Sequence, residues 1–251
     1  MSLRLALLSA LVGPVLAGAA CSGSPAKTAA AGDSSTQTAT PPAPAPGPAA
    51  APAGATADPD QTVAGNGVPA GFIGRTDEAG TPISGAKYSA AANGTWEVQT
   101  GPAHILYSPS LVAHKHYTVT ARIDQLEAPH HPEAYGIFIG GQQLDGPGQQ
   151  YTYFLVRGDG NFSVKVRDGD NARTVLPFTR SPAVPQADAS GKASYTLRAT
   201  VTDDRARFYV NDQLVATVNK SAVPTDGIAG VRINHNLHVI VTPASLAGSP
   251  A

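Results

Sequence analysis

The sequence predicts an all-β fold, an antiparallel sandwich, over residues 66–247. Three observations carry this. Apolar and polar residues alternate with a period of two in run after run. Clusters of Gly, Asn and Asp separate those runs. No stretch keeps a helical period beyond two turns. About a dozen short strands, each with one buried face, then require a partner sheet to cover them.

The runs can be taken in chain order. Tyr117 to Ile123 places Tyr, Val, Ala and Ile on one side and Thr, Thr and Arg on the other. Phe162-Ser163-Val164-Lys165-Val166-Arg167 alternates strictly, as do Tyr195 to Val201 and Ala206 to Val210. Between them, Arg157-Gly158-Asp159-Gly160-Asn161, Asp168-Gly169-Asp170-Asn171 and Asn211-Asp212 read as hairpin turns, because these residue types tolerate positive φ. The pattern assigns Phe154, Val156, Phe162, Val164, Val166, Leu197, Phe208, Val210, Val231 and Ile233 to the core. Gly136 and Gly140 share a face with Phe138 and are expected to let the opposite sheet approach.

Composition bounds the rest. The chain has 251 residues with a net charge of -1, so no global basic field exists to hold nucleic acid. A single cysteine excludes an internal disulfide framework and a Cys-based zinc site. All aromatic residues fall between Phe72 and Tyr209. The preceding segment, residues 22–70, holds fifteen Ala and nine Pro, nearly half of its length. Without large apolar side chains it cannot offset its own conformational entropy. Its Pro-Ala alternation favours extended polyproline II, and it reads as a disordered, semi-stiff spacer.

Residues 1–20 read as a signal peptide: Arg4, an apolar run from Leu5 to Ala17, then Gly18, Ala19 and Ala20, with Cys21 immediately after. The arrangement resembles the lipobox of bacterial lipoproteins. That resemblance implies cleavage before Cys21, lipidation of its thiol and anchoring in the cell envelope by two or three acyl chains. Gly18 stands where that family prefers Leu, Val or Ile. The expected organisation is a leader over 1–20, a lipidated Cys21 with linker over 21–65, and one domain over 66–247.

Two further stretches carry a fold resemblance. Tyr135-Gly136-Ile137-Phe138-Ile139-Gly140-Gly141 is followed by Tyr151-Thr152-Tyr153-Phe154 and Asp159-Gly160. Later, Arg207 to Asp212 precedes Gly227-Ile228-Ala229-Gly230-Val231-Arg232. Together they resemble the concanavalin A-like and laminin-G-like jelly-roll sandwiches, with the domain of the 3-keto-disaccharide hydrolases as a close cousin. The resemblance implies a jelly-roll sandwich and a glycan-directed role.

The residues offer several candidate sites. Jelly-roll glucanases carry paired carboxylates on one strand, and no E-x-D-x-E or E-x-D-x-x-E spacing occurs here. Glu133, just before the Tyr135–Gly141 strand, is the one glutamate in a suggestive place. No phosphate-binding loop, dinucleotide fingerprint or G-x-S-x-G elbow is present. The seven histidines read as surface and loop side chains, with His114 and His116 sharing a strand face, and no metal site is assigned. Asp159, Asp168 and Asp170 are loop candidates for a structural calcium. The chosen ligand-binding set is Tyr151, Tyr153, Arg157, Lys165, Arg167, Arg198 and Arg232: cations interleaved with rings on the face turned from the core, which suits sugar stacking and anionic groups. The expected function is non-catalytic binding of carbohydrate or another envelope ligand. A glycoside hydrolase or lyase and a structural envelope protein stand as alternatives.

Overall fold

The computed structural model describes residues 58–78 and 81–248. The leader, Cys21 and most of the spacer lie outside the described residues. Fifteen strands form the domain. The first five are β1 (Ile73–Thr76), β2 (Ala86–Ala90), β3 (Trp96–Thr100), β4 (His104–Ala113) and β5 (Tyr117–Gln125). Then come β6 (Ala134–Gln142), β7 (Gln150–Arg157), β8 (Asn161–Asp168), β9 (Asn171–Arg180) and β10 (Ala193–Val201). The last are β11 (Arg205–Val210), β12 (Gln213–Asn219), β13 (Gly227–Ile233), β14 (His238–Val241) and β15 (Ser245–Gly248). Among the described residues there is no α-helix.

The strands pair antiparallel in two sheets. One has seven strands in the order β1-β4-β13-β6-β7-β8-β9; the other runs β12-β11-β10-β5-β14-β3-β2, with β15 also paired to β5. Hairpins such as β7–β8 and β10–β11 are local in sequence, whereas β13 lies between β4 and β6 and closes the jelly roll, pairing with β4 across more than a hundred residues. Asn211 and Asp212 join β11 to β12 with φ of 47° and 63°, the positive values expected of a two-residue hairpin turn. The Asn211 side chain accepts the Thr196 N–H at 2.9 Å and ties the turn to β10.

All ten expected core side chains are buried between the sheets. Phe154 of β7 stacks on Phe208 of β11 at 5.1 Å, joining the two layers. Each such ring removes enough apolar surface to contribute about 1.5–3 kcal/mol. Strand β10 keeps the expected alternation of buried and half-buried positions along most of its length. Strands β6 and β7 do not: β6 is buried at every position but its last, and β7 at every position but its ends.

That departure corrects one expectation. Phe138 faces away from the opposite sheet, into a second apolar cluster with Ile105, Tyr107, Leu144, Tyr151, Tyr153 and Leu155. The small residue at Gly136 serves strand pairing and not sheet-to-sheet approach, since a Cβ there would lie 1.8 Å from the Phe154 carbonyl oxygen of β7. His114 and His116 likewise leave the strand. They flank Lys115, whose φ of 59° makes the turn between β4 and β5.

Candidate ligand-binding face

The seven-stranded sheet turns its second face away from the core, and β4, β6 and β7 load that face with rings. Tyr107 meets Phe138 edge-on at 6.2 Å, Phe138 meets Tyr151 at 5.2 Å, and Tyr151 meets Tyr153 at 5.4 Å. The row is not an open platform, because Tyr151 and Tyr153 are buried. Leu144, in the loop between β6 and β7, packs onto the row. Arg75 of β1 holds that loop by donating to the carbonyls of Leu144 at 2.7 Å and Gly146 at 2.6 Å.

Asp77, immediately after β1, organises the charge. Its carboxylate takes both terminal nitrogens of Arg232 from β13, one of them at 2.5 Å, and an Arg167 nitrogen from β8 at 2.8 Å. Both guanidinium groups are buried, with side chains 6% and 9% exposed. Burial pushes the Asp77 carboxyl up, but the two arginines outweigh it and hold the group below the usual carboxylate range. For Arg232 the order is the same: burial opposes the charge, and bonding to Asp77 overcomes it, raising the pKa. Arg232 also lies 5.6 Å from the Tyr153 ring centre.

Two hollows meet at β1 and the turn that follows it. One, of about 550 Å³, is walled by Arg75, Glu78, Tyr107, Leu144, Asp145, Pro147 and Asp170. The other, of about 280 Å³, is lined by Asp60, Asp77, Glu133, Arg232, Asn234 and His235. Thr76, Glu78 and Thr81 border both.

In the smaller hollow Glu133 is half-buried between His235, whose Nε2 lies 2.9 Å away, and the Asn234 amide, which donates at 3.2 Å. The other ring nitrogen of His235 lies 3.0 Å from an Asp60 oxygen. Partial burial lowers the His235 pKa, but Glu133 and Asp60 together raise it above the usual imidazole value. Sequence reasoning saw Glu133 alone. The partners Asp60 and His235 are 175 residues apart, and only the closure of the jelly roll brings them together.

The sequence-chosen ligand-binding residues divide by sheet. Tyr151, Tyr153, Arg167 and Arg232 converge around Asp77. Arg157 and Lys165 stand farther along the same sheet, over the Phe178 ring at 4.1 and 5.5 Å. Arg198 stands on the eight-stranded sheet, over Tyr209 at 3.9 Å and 3.2 Å from Asp212. The sequence choice missed Asp77 and Arg75. The signal available was a lone Asp-Glu pair ending a short strand, too common to be distinctive.

Other assignments resolve locally. Asp159 pairs with Arg157 at 2.5 Å and accepts the Asn161 N–H, and Asp168 accepts from Gln150 at 2.9 Å. The Asp170 backbone carbonyl accepts from Arg167 at 3.1 Å. His104 is a core residue and not a surface one; it is fully buried against Tyr88.

This architecture is that of the concanavalin A-like jelly-roll sandwiches, whose solved members include both glycan-binding modules and glycan-active enzymes. The chain is similar to the carbohydrate-binding module CBM66 from Bacillus subtilis, with a TM-score of 0.52 and 11% identity over 71% of this chain and 96% of that one. It is similar to a Bacteroides ovatus mixed-linkage-glucan GH16 protein in complex with product, with a TM-score of 0.51 and 8% identity over 74% and 98% of the two chains. A family 7 alginate lyase in complex with its product matches at a TM-score of 0.46 and 15% identity, over 64% and 83%. No family model and no curated protein sequence matches the chain.

Proposed function

We propose that the sandwich binds carbohydrate, without chemistry, in the hollow beside Arg75 and Tyr107. The observation that carries this is the hollow itself, about 550 Å³, with the exposed Ile73 beside Arg75, Glu78, Asp145 and Asp170 in its walls. That size suits a small ligand, and that lining offers an apolar face and several planar hydrogen-bonding groups to a sugar. Asp77 in the adjoining hollow is itself unsuited to act as a general acid. A general acid needs its carboxyl pKa raised, and two arginines hold this one down.

Calorimetric titration of the full chain with neutral and uronic-acid oligosaccharides tests the reading. Saturable binding is expected. Arg75→Ala, which removes a wall and releases the Leu144–Gly146 loop, should weaken it by about tenfold or more, the equivalent of about 1.4 kcal/mol. If no glycan binds, the reading fails. Bond cleavage that disappears in Glu133→Gln would replace it with the hydrolase or lyase alternative.

The same proposal places the protein in a bacterial cell envelope, held by lipid on Cys21 with the spacer between anchor and sandwich. The leader and the sole cysteine support it. Cys21→Ser is expected to move the protein from the membrane fraction to the soluble fraction of expressing cells and to abolish incorporation of labelled palmitate. Unchanged membrane retention would sink the anchor.

A further inference from the structure

We propose that His235, Glu133 and Asp58 form a binding site for a divalent transition-metal ion of the zinc class. The site is independent of carbohydrate binding. One ligand atom from each residue lies within 4.8 Å of the other two. His235 Nε2 is 2.9 Å from a Glu133 oxygen and 3.9 Å from Asp58 Oδ2. Tetrahedral ligands at zinc bond lengths sit roughly 3.4 Å apart, so these spacings bracket what an ion would draw together.

Two further observations point to a cation. Asp58 Oδ2 is buried within this group and has no hydrogen-bond donor. A buried carboxylate oxygen with no donor is costly, and an ion supplies what is missing. Then, Asp60 lies 3.0 Å from His235 Nδ1. Without metal both ring nitrogens face carboxylates; an ion that displaced the Nε2 proton would meet Glu133 and Asp58 there, while Asp60 on Nδ1–H holds the ring in place, the arrangement that supports imidazole ligands in metal sites. Three carboxylates gather here around one imidazole, and a divalent ion balances them. The nitrogen ligand favours zinc-class ions over calcium, which takes oxygen.

The ligands come from distant parts of the chain. Asp58 is the first described residue, Glu133 precedes β6, and His235 follows β13. Protein bonds already hold this entry segment: the Gln61 N–H donates to the Asn236 side chain at 2.7 Å, and Asn236 donates to the Pro59 carbonyl at 3.1 Å. An ion would clip the start of the domain to the turn between β13 and β14.

Titration of the chelator-treated full chain with Zn²⁺ alone is the test, with Ca²⁺ in parallel. One saturable Zn²⁺ site is expected, with a rise in melting temperature and little response to Ca²⁺. Asp58→Asn and His235→Gln should abolish it, and Asp60→Asn should weaken it by about 10–100-fold. A His116→Ala variant, altered at an exposed histidine in the turn between β4 and β5, at the opposite end of β13 from His235, should bind like the parent. Asp58→Asn removes an oxygen that accepts no hydrogen bond, so its metal-free melting temperature should match the parent's and exclude misfolding as the cause. Absence of a saturable Zn²⁺ site, survival of that site in Asp58→Asn and His235→Gln, or equal preference for Ca²⁺ would each overturn the assignment.

Discussion

Asp77→Asn should destabilise the domain by about 3 kcal/mol, and by about 6–12 °C in melting temperature. The substitution keeps the side chain's shape and removes its charge. What remains is two buried cations, Arg232 and Arg167, facing each other across a neutral amide. Breaking a buried ion pair from one side costs roughly 3–5 kcal/mol, because the partner's charge stays desolvated. Asp77 itself is 31% exposed, which lets some water reach the gap and sets the expectation at the low end. Urea and thermal denaturation of the two proteins measure the loss directly. Adding Arg232→Met to the Asp77→Asn variant should return much of the stability, since an apolar stem then replaces a stranded charge beside Tyr153. A loss below about 1 kcal/mol would mean that the cluster is solvated and does not organise this face.

The reason this cluster escaped sequence reasoning is instructive about the fold. Alternation identified which residues of β8, β10 and β11 point to the core, and in β10 and β11 the half-buried second face writes that geometry into the chain. The same rule then assigned the other face of the seven-stranded sheet to solvent. Strands β6 and β7 carry the contrary signal: Tyr135-Gly136-Ile137-Phe138-Ile139 and Tyr151-Thr152-Tyr153-Phe154-Leu155-Val156 are nearly continuous apolar runs, the mark of strands covered on both sides. Read that way, Arg167 and Arg232 become cations inside a covered face, and each then needs a carboxylate. Which carboxylate could not be read, because Asp77 reaches Arg232 across 155 residues. The turns were easier. Asn211-Asp212 and Gly160 encode positive φ in their own residue types, so their positions needed no distant partner.

The split of the cationic residues has a functional consequence. Of the seven residues chosen from sequence, Arg198 alone stands on the eight-stranded sheet, bound to Asp212 and stacked on Tyr209. It braces the hairpin of β11 and β12. The remaining six stand on the seven-stranded sheet, where burial turns most of them from ligand contacts into supports for the hollow's walls and floor. A ligand would therefore meet Ile73, Arg75, Glu78 and Asp145 first. Substitutions at Tyr151 or Tyr153 would act through packing.

Acid should unfold the domain earlier than its surface charges alone would require, and His104 is the reason. Its ring is fully buried, with Nδ1 donating to the Pro102 carbonyl at 3.0 Å and Nε2 accepting from the Tyr88 hydroxyl at 2.6 Å. Both bonds suit the neutral ring; a second proton would set an N–H against the Tyr88 O–H. Burial is the main force lowering the pKa; Arg232 adds to it, the Pro102 carbonyl and Asp77 oppose it, and the result is about 4. In the unfolded chain the ring titrates near 6.5. Between those values the unfolded state holds the proton and the folded state does not. Stability is therefore complete above about pH 6.5 and falls as pH drops toward 4, by about 3 kcal/mol in all. Asp77 titrates below its usual value, so its own contribution is lost at still lower pH, after that of His104. Denaturation midpoints measured from pH 8 to pH 4 should show this slope, and His104→Gln, whose amide can accept from Tyr88 and donate to Pro102, should flatten it. An unaltered slope in that variant would place the proton elsewhere and remove His104 from the account.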